Sequence, residues 1–202
     1  MKILFQGDSI TDMERDRNDP KSLGIGYVKF ATDYIKEKHP EIDFEFVNLG
    51  ISGNRTEDLL KRLQEDFIDV NPDIVSILAG INDVVYYAEN RDWLDNEIFE
   101  QNYRTILEEI KTKTNAKIMM IEPFLFPVED KLYYREDLDP KIQIIRKLAN
   151  QYADVFMPLD GPLVSEYIGK DLDVFTPDGV HPFPPAAKII AKWYAEYIEK
   201  LL

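Results

Sequence analysis

Histidine occurs only twice in the chain, at His39 and His181, and His181 forms the one well-placed His-Asp pair: Asp178 stands three positions earlier, in TPDGVHPF. If the imidazole Nδ1–H donates to Asp178, Nε2 is left as the acceptor for a proton from a nucleophile. A candidate nucleophile lies near the start of the chain, Ser9 in FQGDSITD. Donors for a developing oxyanion come from two other segments. Gly50 in NLGISGN can present its backbone N–H with no Cβ to block approach. Asn82 in AGIND carries a side-chain NH₂, and the N–H of Ser9 itself is a third donor. Nucleophile, base, orienting acid and oxyanion donors are the set that acyl transfer through a covalent intermediate requires.

Each piece alone has a plainer reading. Gly7-Asp8-Ser9 is turn-forming, Gly50 and Gly53 suit any loop, Asn82-Asp83 can cap a helix, and Asp178-Gly179 is a turn signal. The plain readings must hold together, however, for three polar clusters that each follow a strand and a His-Asp pair that comes last. His39, in KEKHP, falls at a charged helix end where a cation suits the helix C-terminus, and it is read as structural. Ser52 is a poor rival nucleophile, because Gly50-Ile51-Ser52-Gly53 lacks the G-x-S-x-G elbow. A second enzyme class would gather Asp8, Asp83, Asp178 and His181 on a divalent metal for phosphoester hydrolysis, but it leaves Ser9 and Asn82 idle. A third reading is a non-catalytic carbohydrate-binding protein. The acyl-transfer reading needs neither metal nor organic cofactor.

These residues must be delivered by a scaffold. Five apolar, β-rich runs are predicted strands: Ile3–Gln6, Phe44–Asn48, Ile74–Leu78, Ile118–Ile121 and Val155–Met157. Helical stripes lie between them. Tyr27, Phe30, Ala31, Tyr34 and Ile35 form one, and Phe99, Tyr103, Ile106, Leu107 and Ile110 another. Asp139-Pro140 reads as N-cap and first helical residue of a helix carrying Ile142, Ile145, Leu148, Ala149 and Tyr152. After Pro185 a last helix pairs Ile189/Ile190, Trp193/Tyr194, Tyr197/Ile198 and Leu201/Leu202. That alternation predicts an α/β domain, residues 1–202, with a parallel sheet of order 2-1-3-4-5 and helices on both faces. In the 2-1-3 order Ser9 is flanked by Gly50 on one side and Asn82 on the other.

The 202 residues suffice for one core, with 45% hydrophobic residues and no internal repeat. Lys plus Arg is 24 and Asp plus Glu 38, a net charge of −14, which argues against nucleic acid or an anionic membrane as partner. No apolar run reaches transmembrane length and no signal peptide is evident. With cysteine absent, a cytoplasmic location is expected, and the Asn54-Arg55-Thr56 sequon is discounted. The wide aromatic stripe of the last helix is chiefly a core face, and it is also the ground for expecting a homo-oligomer. Tyr86, Tyr87, Trp93, Phe124, Phe126 and Phe183 are candidates for pocket walls or for core. Arg15 and Arg17 read as a solvated loop.

FQGDSITD, NLGISGN, AGIND and DGVHPF, in that order from Phe5 to Phe183, resemble the four blocks of the SGNH hydrolases, the GDSL esterase/lipase family. Ile10 stands where the family name has Leu. The resemblance implies a three-layer α/β/α sandwich of flavodoxin-like form. It implies Ser9 as nucleophile, His181 as base and Asp178 as its orienter, with an oxyanion hole from the Ser9 and Gly50 amides and the Asn82 side chain. Within the family GDSITD, GIGYV, ISGN and PDIVSILAGINDV look most like bacterial carbohydrate esterases, particularly acetylxylan esterases. The expected activity is hydrolysis of short acyl esters on carbohydrates, such as acetylated xylo-oligosaccharides. A lipid esterase, lysophospholipase or thioesterase of the same family is the alternative.

Overall fold

Five parallel strands make one sheet in the order β2-β1-β3-β4-β5: β1 Lys2–Gly7, β2 Glu45–Asn48, β3 Ile74–Leu78, β4 Lys117–Ile121 and β5 Val155–Met157. The computed structural model describes residues 1–202. Each strand lies within a residue or so of its predicted bounds, and the predicted order holds. The strands are buried on both faces, so their apolar runs are continuous rather than alternating. Successive side chains still divide between two cores. Ile3, Phe5, Met119 and Ile121 join α1 (Ser9–Asp12), α2 (Tyr27–Lys38) and, at the other end of the chain, Pro184–Ile198. Leu4, Ile77, Ile118 and Met120 face α3 (Thr56–Lys61) and, beyond α4 (Asn82–Val85), α5 (Asn96–Lys113) and α6 (Arg135–Tyr152). Asp160–Tyr167 is α7, and Pro184–Ile198 is α8. The result is a helix–sheet–helix sandwich.

The helical stripes sort as expected on α5, where Phe99, Tyr103, Ile106, Leu107 and Ile110 are all buried. On α2 the buried line is Tyr27, Val28, Ala31, Thr32 and Ile35, while Tyr34 turns toward solvent. The stripe on α8 faces inward through Ile190, Tyr194 and Ile198, with Ile189, Trp193 and Tyr197 half-buried at its sides. Tyr194 lies 5.1 Å from Phe5 and 6.1 Å from Tyr27, ring to ring, and its hydroxyl donates to Ser76 Oγ at 3.1 Å. These contacts seat α8 against β1. The segment just before α8 is thereby held over the end of the strand that leads to Ser9.

Two helix starts differ from expectation. α8 begins at Pro184, so Pro184 and Pro185 are its first two residues, where a missing N–H costs nothing. Pro140 does not open α6, which begins at Arg135 and carries the proline inside. The turn before it is held by side chains, both from outside the helix and within it. Arg135 donates to both oxygens of Asp160 (2.7 and 2.9 Å) and to Leu125 O (2.6 Å), and buried Asp137 pairs with Lys141 at 2.5 Å. Those bonds offset the one backbone hydrogen bond that Pro140 cannot make. No helix is long and apolar enough to cross a membrane.

Candidate active site

The strand register sets the floor of the site. Gly7 pairs with Leu78 and Phe5 with Asn48, so the ends of β1, β2 and β3 lie side by side. Ser9 then follows β1 by two residues, Gly50 follows β2 by two, and Asn82 follows β3 by four. Gly7 is required by crowding: a Cβ there would come within 2.3 Å of Leu78 O and 2.5 Å of Thr11 Oγ1. Asp8 is the N-cap of α1, its Oδ1 accepting from the Ile10 N–H at 3.0 Å. Ser9 becomes the first residue of that helix, and N–H groups in a first turn have no intrahelical acceptor.

Ser9 Oγ lies 2.8 Å from His181 Nε2, and His181 Nδ1 lies 2.7 Å from Asp178 Oδ2. The other carboxylate oxygen of Asp178 accepts from the N–H groups of Val180 (2.9 Å) and His181 (2.8 Å). Burial pushes the Asp178 carboxyl up, but those amides and the imidazole outweigh it and hold the group below the usual carboxylate range. Asp178 therefore stays ionised, acceptor-only, with one oxygen committed to the backbone and the other to the ring. The loop is closed by its own bonds. Buried Thr176 accepts from Gly179 N–H at 2.8 Å, and Phe183 N–H donates to Phe175 O at 2.7 Å. Lys131 Nζ donates to Asp178 O.

The Gly50 amide is itself held in place. Its N–H donates to Asn48 Oδ1 at 3.0 Å, and Asn48 Nδ2 donates in turn to Thr11 O (2.8 Å) and Leu23 O (3.1 Å). The carbonyl on the same peptide, Leu49 O, accepts from Arg62 Nη1 at 2.9 Å. Glycine is needed here because α1 presses on it: a Cβ would lie 2.5 Å from Asp12 N and 2.8 Å from Thr11 C. Substrate access is therefore not what demands glycine at this position. Asn82 does not cap α4, whose N-cap is Ile81; its Nδ2 donates to Asn54 O at 3.2 Å.

One further expectation changes. Arg15 is not a solvated residue: its side chain is 9% exposed and its Nε donates to Gly50 O at 2.9 Å. Arg17 does reach solvent, while pairing with Asp12 at 2.9 Å. Ser52 Oγ donates to Asp12 Oδ2 at 3.1 Å, with no imidazole beside it. Asp8, Asp83, Asp178 and His181 do not converge as a ligand set, and no group of three or more such side chains is placed to hold a metal. Asp83 is instead spent on Thr56, taking both its amide and its hydroxyl. His39 caps α2 and bonds Glu199 at 2.8 Å, which raises its pKa, in keeping with a structural reading. Of the six aromatic residues, Phe124 and Phe126 are core, Trp93 packs beside Tyr133, and Tyr86 and Phe183 are exposed. Asn48, Arg62 and Thr176 were missed by sequence reading. Their partners are chiefly backbone groups far along the chain or in a turn, with side chains of Asn54 and Asp66 added for Arg62, and no local pattern marks them.

A cavity of about 440 Å³ opens over this chemistry, lined by Ser9, His181, Met13, Ile25, Ser52 and Phe183 among others. It is large enough for a small acyl group and part of an alcohol.

The chain is similar to several known proteins. The profile of the GDSL-like lipase/acylhydrolase family matches residues 5–189. An acetylxylan esterase of Geobacillus stearothermophilus is 34% identical over 166 residues, covering 77% of this chain and 74% of that protein. The uncharacterized lipoprotein YqeF of Bacillus subtilis is 28% identical, covering 73% and 71%. A GDSL-like lipase structure from Parabacteroides merdae superposes at TM-score 0.90 with 31% identity, over 99% of this chain and 94% of that one. A crystal structure of an acetylxylan esterase from G. stearothermophilus superposes at 0.88 with 28% identity, over 99% and 93%. That esterase has also been solved as catalytic mutants in which a serine, an aspartate and a histidine are replaced by alanine. The chain belongs to the GDSL-like lipase/acylhydrolase family and is a carboxylic ester hydrolase.

Proposed function

We propose that this esterase removes short acyl groups, acetyl above all, from carbohydrates such as acetylated xylo-oligosaccharides, through a Ser-His-Asp acyl-enzyme mechanism. One observation carries the mechanism: the continuous line of hydrogen bonds from Ser9 Oγ to His181 (2.8 Å) to Asp178 (2.7 Å). Ser9 Oγ attacks the ester carbonyl carbon while His181 Nε2 takes its proton. Asp178 fixes the tautomer with Nδ1–H and stabilises the imidazolium that forms. Negative charge on the carbonyl oxygen is met by the Ser9 and Gly50 amides and the Asn82 side chain. The Gly50 N–H must then share its proton between Asn48 Oδ1 and the oxyanion, or give up the former. His181 protonates the departing alcohol. A water that loses its proton to the same imidazole attacks the acyl-enzyme and frees the acid. Every step uses side chains and amides of this chain.

The carbohydrate assignment rests on the acetylxylan esterase relatives. A lipid esterase or thioesterase is favoured by a different observation, the exposed apolar side chains of Ile25 (60%) and Phe183 (40%) on the cavity wall. A chain-length series of p-nitrophenyl esters, run beside acetylated xylose, separates the two. Steep preference for acetate with turnover of the sugar ester is expected; preference for long chains would defeat the carbohydrate reading. Ser9→Ala should lose roughly 10⁴-fold or more in kcat with the fold intact. Undiminished turnover by that variant would end the mechanism.

A further inference from the structure

Tyr86 is the most exposed of the large apolar side chains, at 68%. Its core reading is therefore excluded, yet the ring is firmly placed. The Arg55 guanidinium lies 4.0 Å from its centroid, and Tyr87 meets it edge-on at 5.0 Å and 74°. Arg55 is in turn fixed by Glu57, by Asp58 and by the Tyr87 hydroxyl at 3.4 Å, with its side chain only 15% exposed. The Tyr86 ring thus rests against a cation on a rigid base while most of the side chain stands in water.

The position of the ring relates it to the chemistry. Tyr86 N–H donates to Asn82 O at 3.1 Å, which puts Tyr86 one helical turn beyond Asn82. Asn82 Nδ2 donates to Asn54 O, and Asn54 directly precedes Arg55. The two segments that position the proposed oxyanion donor are therefore the two that build the platform. Tyr86 does not line the cavity over Ser9, so a ligand reaching it must extend out of that cavity. A flexible acyl chain gains most from enclosure on several sides. A pyranose ring is flat, carries C–H groups on its faces and hydroxyls on its rim, and is satisfied by a single open aromatic face. We propose that Tyr86 is a sugar-stacking platform, taking a pyranose unit next to the one that bears the ester, on the ring that Arg55 braces at 4.0 Å.

This inference rests on the carbohydrate reading above, and the experiment keeps the two apart. Wild type, Tyr86→Ala and Tyr86→Trp are assayed on acetylated xylotriose, acetylated methyl xyloside and p-nitrophenyl acetate. Tyr86→Ala should raise KM for the trisaccharide about three- to tenfold, a stacking contribution, with kcat for it little changed. KM for the two smaller esters should move much less, and Tyr86→Trp should restore trisaccharide binding. Titration of Ser9→Ala protein with unacetylated xylotetraose, with and without Tyr86→Ala, should show the same loss in affinity. Wild type that turns over no sugar acetate would sink the carbohydrate reading and the platform with it. Wild type that does so, with Tyr86→Ala equal to it on the trisaccharide, would sink the platform alone. Equal losses on all three esters would assign Tyr86 a structural role. A change in sedimenting mass without a change in KM would assign it to an interface between protein chains, and either result overturns the proposal.

Discussion

Asp8, beside the proposed nucleophile, is fully buried; Oδ1 accepts one backbone N–H, and Oδ2 meets no donor. Burial pushes its carboxyl from an ordinary value of 3.8 up to about 7, against the pull of the Ile10 amide and of His181. Asp83 behind it is pushed by burial up to about 6, despite the Thr56 amide and hydroxyl. The sign for stability follows from proton counts. Between pH 3.8 and about 7 the folded protein keeps a proton on Asp8 that the unfolded chain releases. Stability therefore falls as pH rises through that window, and the deficit is complete above it. A shift from 3.8 to about 7 corresponds to a deficit on the order of 4 kcal/mol. Asn is nearly isosteric and keeps the acceptor for Ile10. Asp8→Asn is expected to be more stable than wild type at pH 8, by up to that amount, and close to it at pH 3.5. Urea midpoints at the two pH values check this, and a gap independent of pH would show that Asp8 does not titrate as described.

At the scale of elements, the site is an assembly of strand ends and loops tied together by one arginine. Arg62, at the end of α3, donates to Leu49 O (2.9 Å), Gly7 O (3.3 Å) and Asn54 Oδ1 (2.8 Å), and pairs with Asp66 (2.7 Å). It thus touches the end of β1 and the segment that follows β2, and through Asn54 the one that receives Asn82. Leu49 O and Gly50 N–H belong to one planar peptide. Holding the carbonyl therefore sets the direction of the N–H. Arg62→Gln should lower kcat by about 10- to 100-fold on p-nitrophenyl acetate, less than removing a donor outright, with a smaller effect on KM. Stopped-flow and steady-state assays, at a temperature where circular dichroism shows the variant folded, read this directly. A rise in KM with unchanged kcat would show that Arg62 serves binding and not the orientation of the peptide.

For the molecule as a whole, charge governs which esters approach. A net charge of −14 on 202 residues sets a net negative field around the molecule. Two esters with the same acyl group, one on a neutral and one on an anionic alcohol, should differ in kcat/KM in favour of the neutral one. The gap should shrink as salt rises from 0.01 to 0.5 M, since screening shortens from about 30 Å to a few Å. A gap that ignores salt would place the discrimination in short-range contacts within the cavity.

The strands and the α5 stripe were legible in the sequence because they follow from local periodicity, and the right-handedness of crossovers narrowed the sheet order to a few candidates, of which the expected one is found. The candidate set of Ser9, His181 and Asp178, whose side chains do meet, was legible too, since a strand end, a lone usable histidine and an acid three residues away leave few choices. Packing across the chain decided the rest. The start of α6 depends on Arg135 finding Asp160, the glycine at 50 on the pressure of α1, and the burial of Arg15 on a carbonyl 35 residues away. Whether an aromatic side chain fills the core, as Phe124 does, or stands in water, as Tyr86 does, is decided by which neighbours arrive. Residue types and their order pointed to the proposed chemistry; only folding, which closes loops of more than a hundred residues, could bring Ser9 within 2.8 Å of His181.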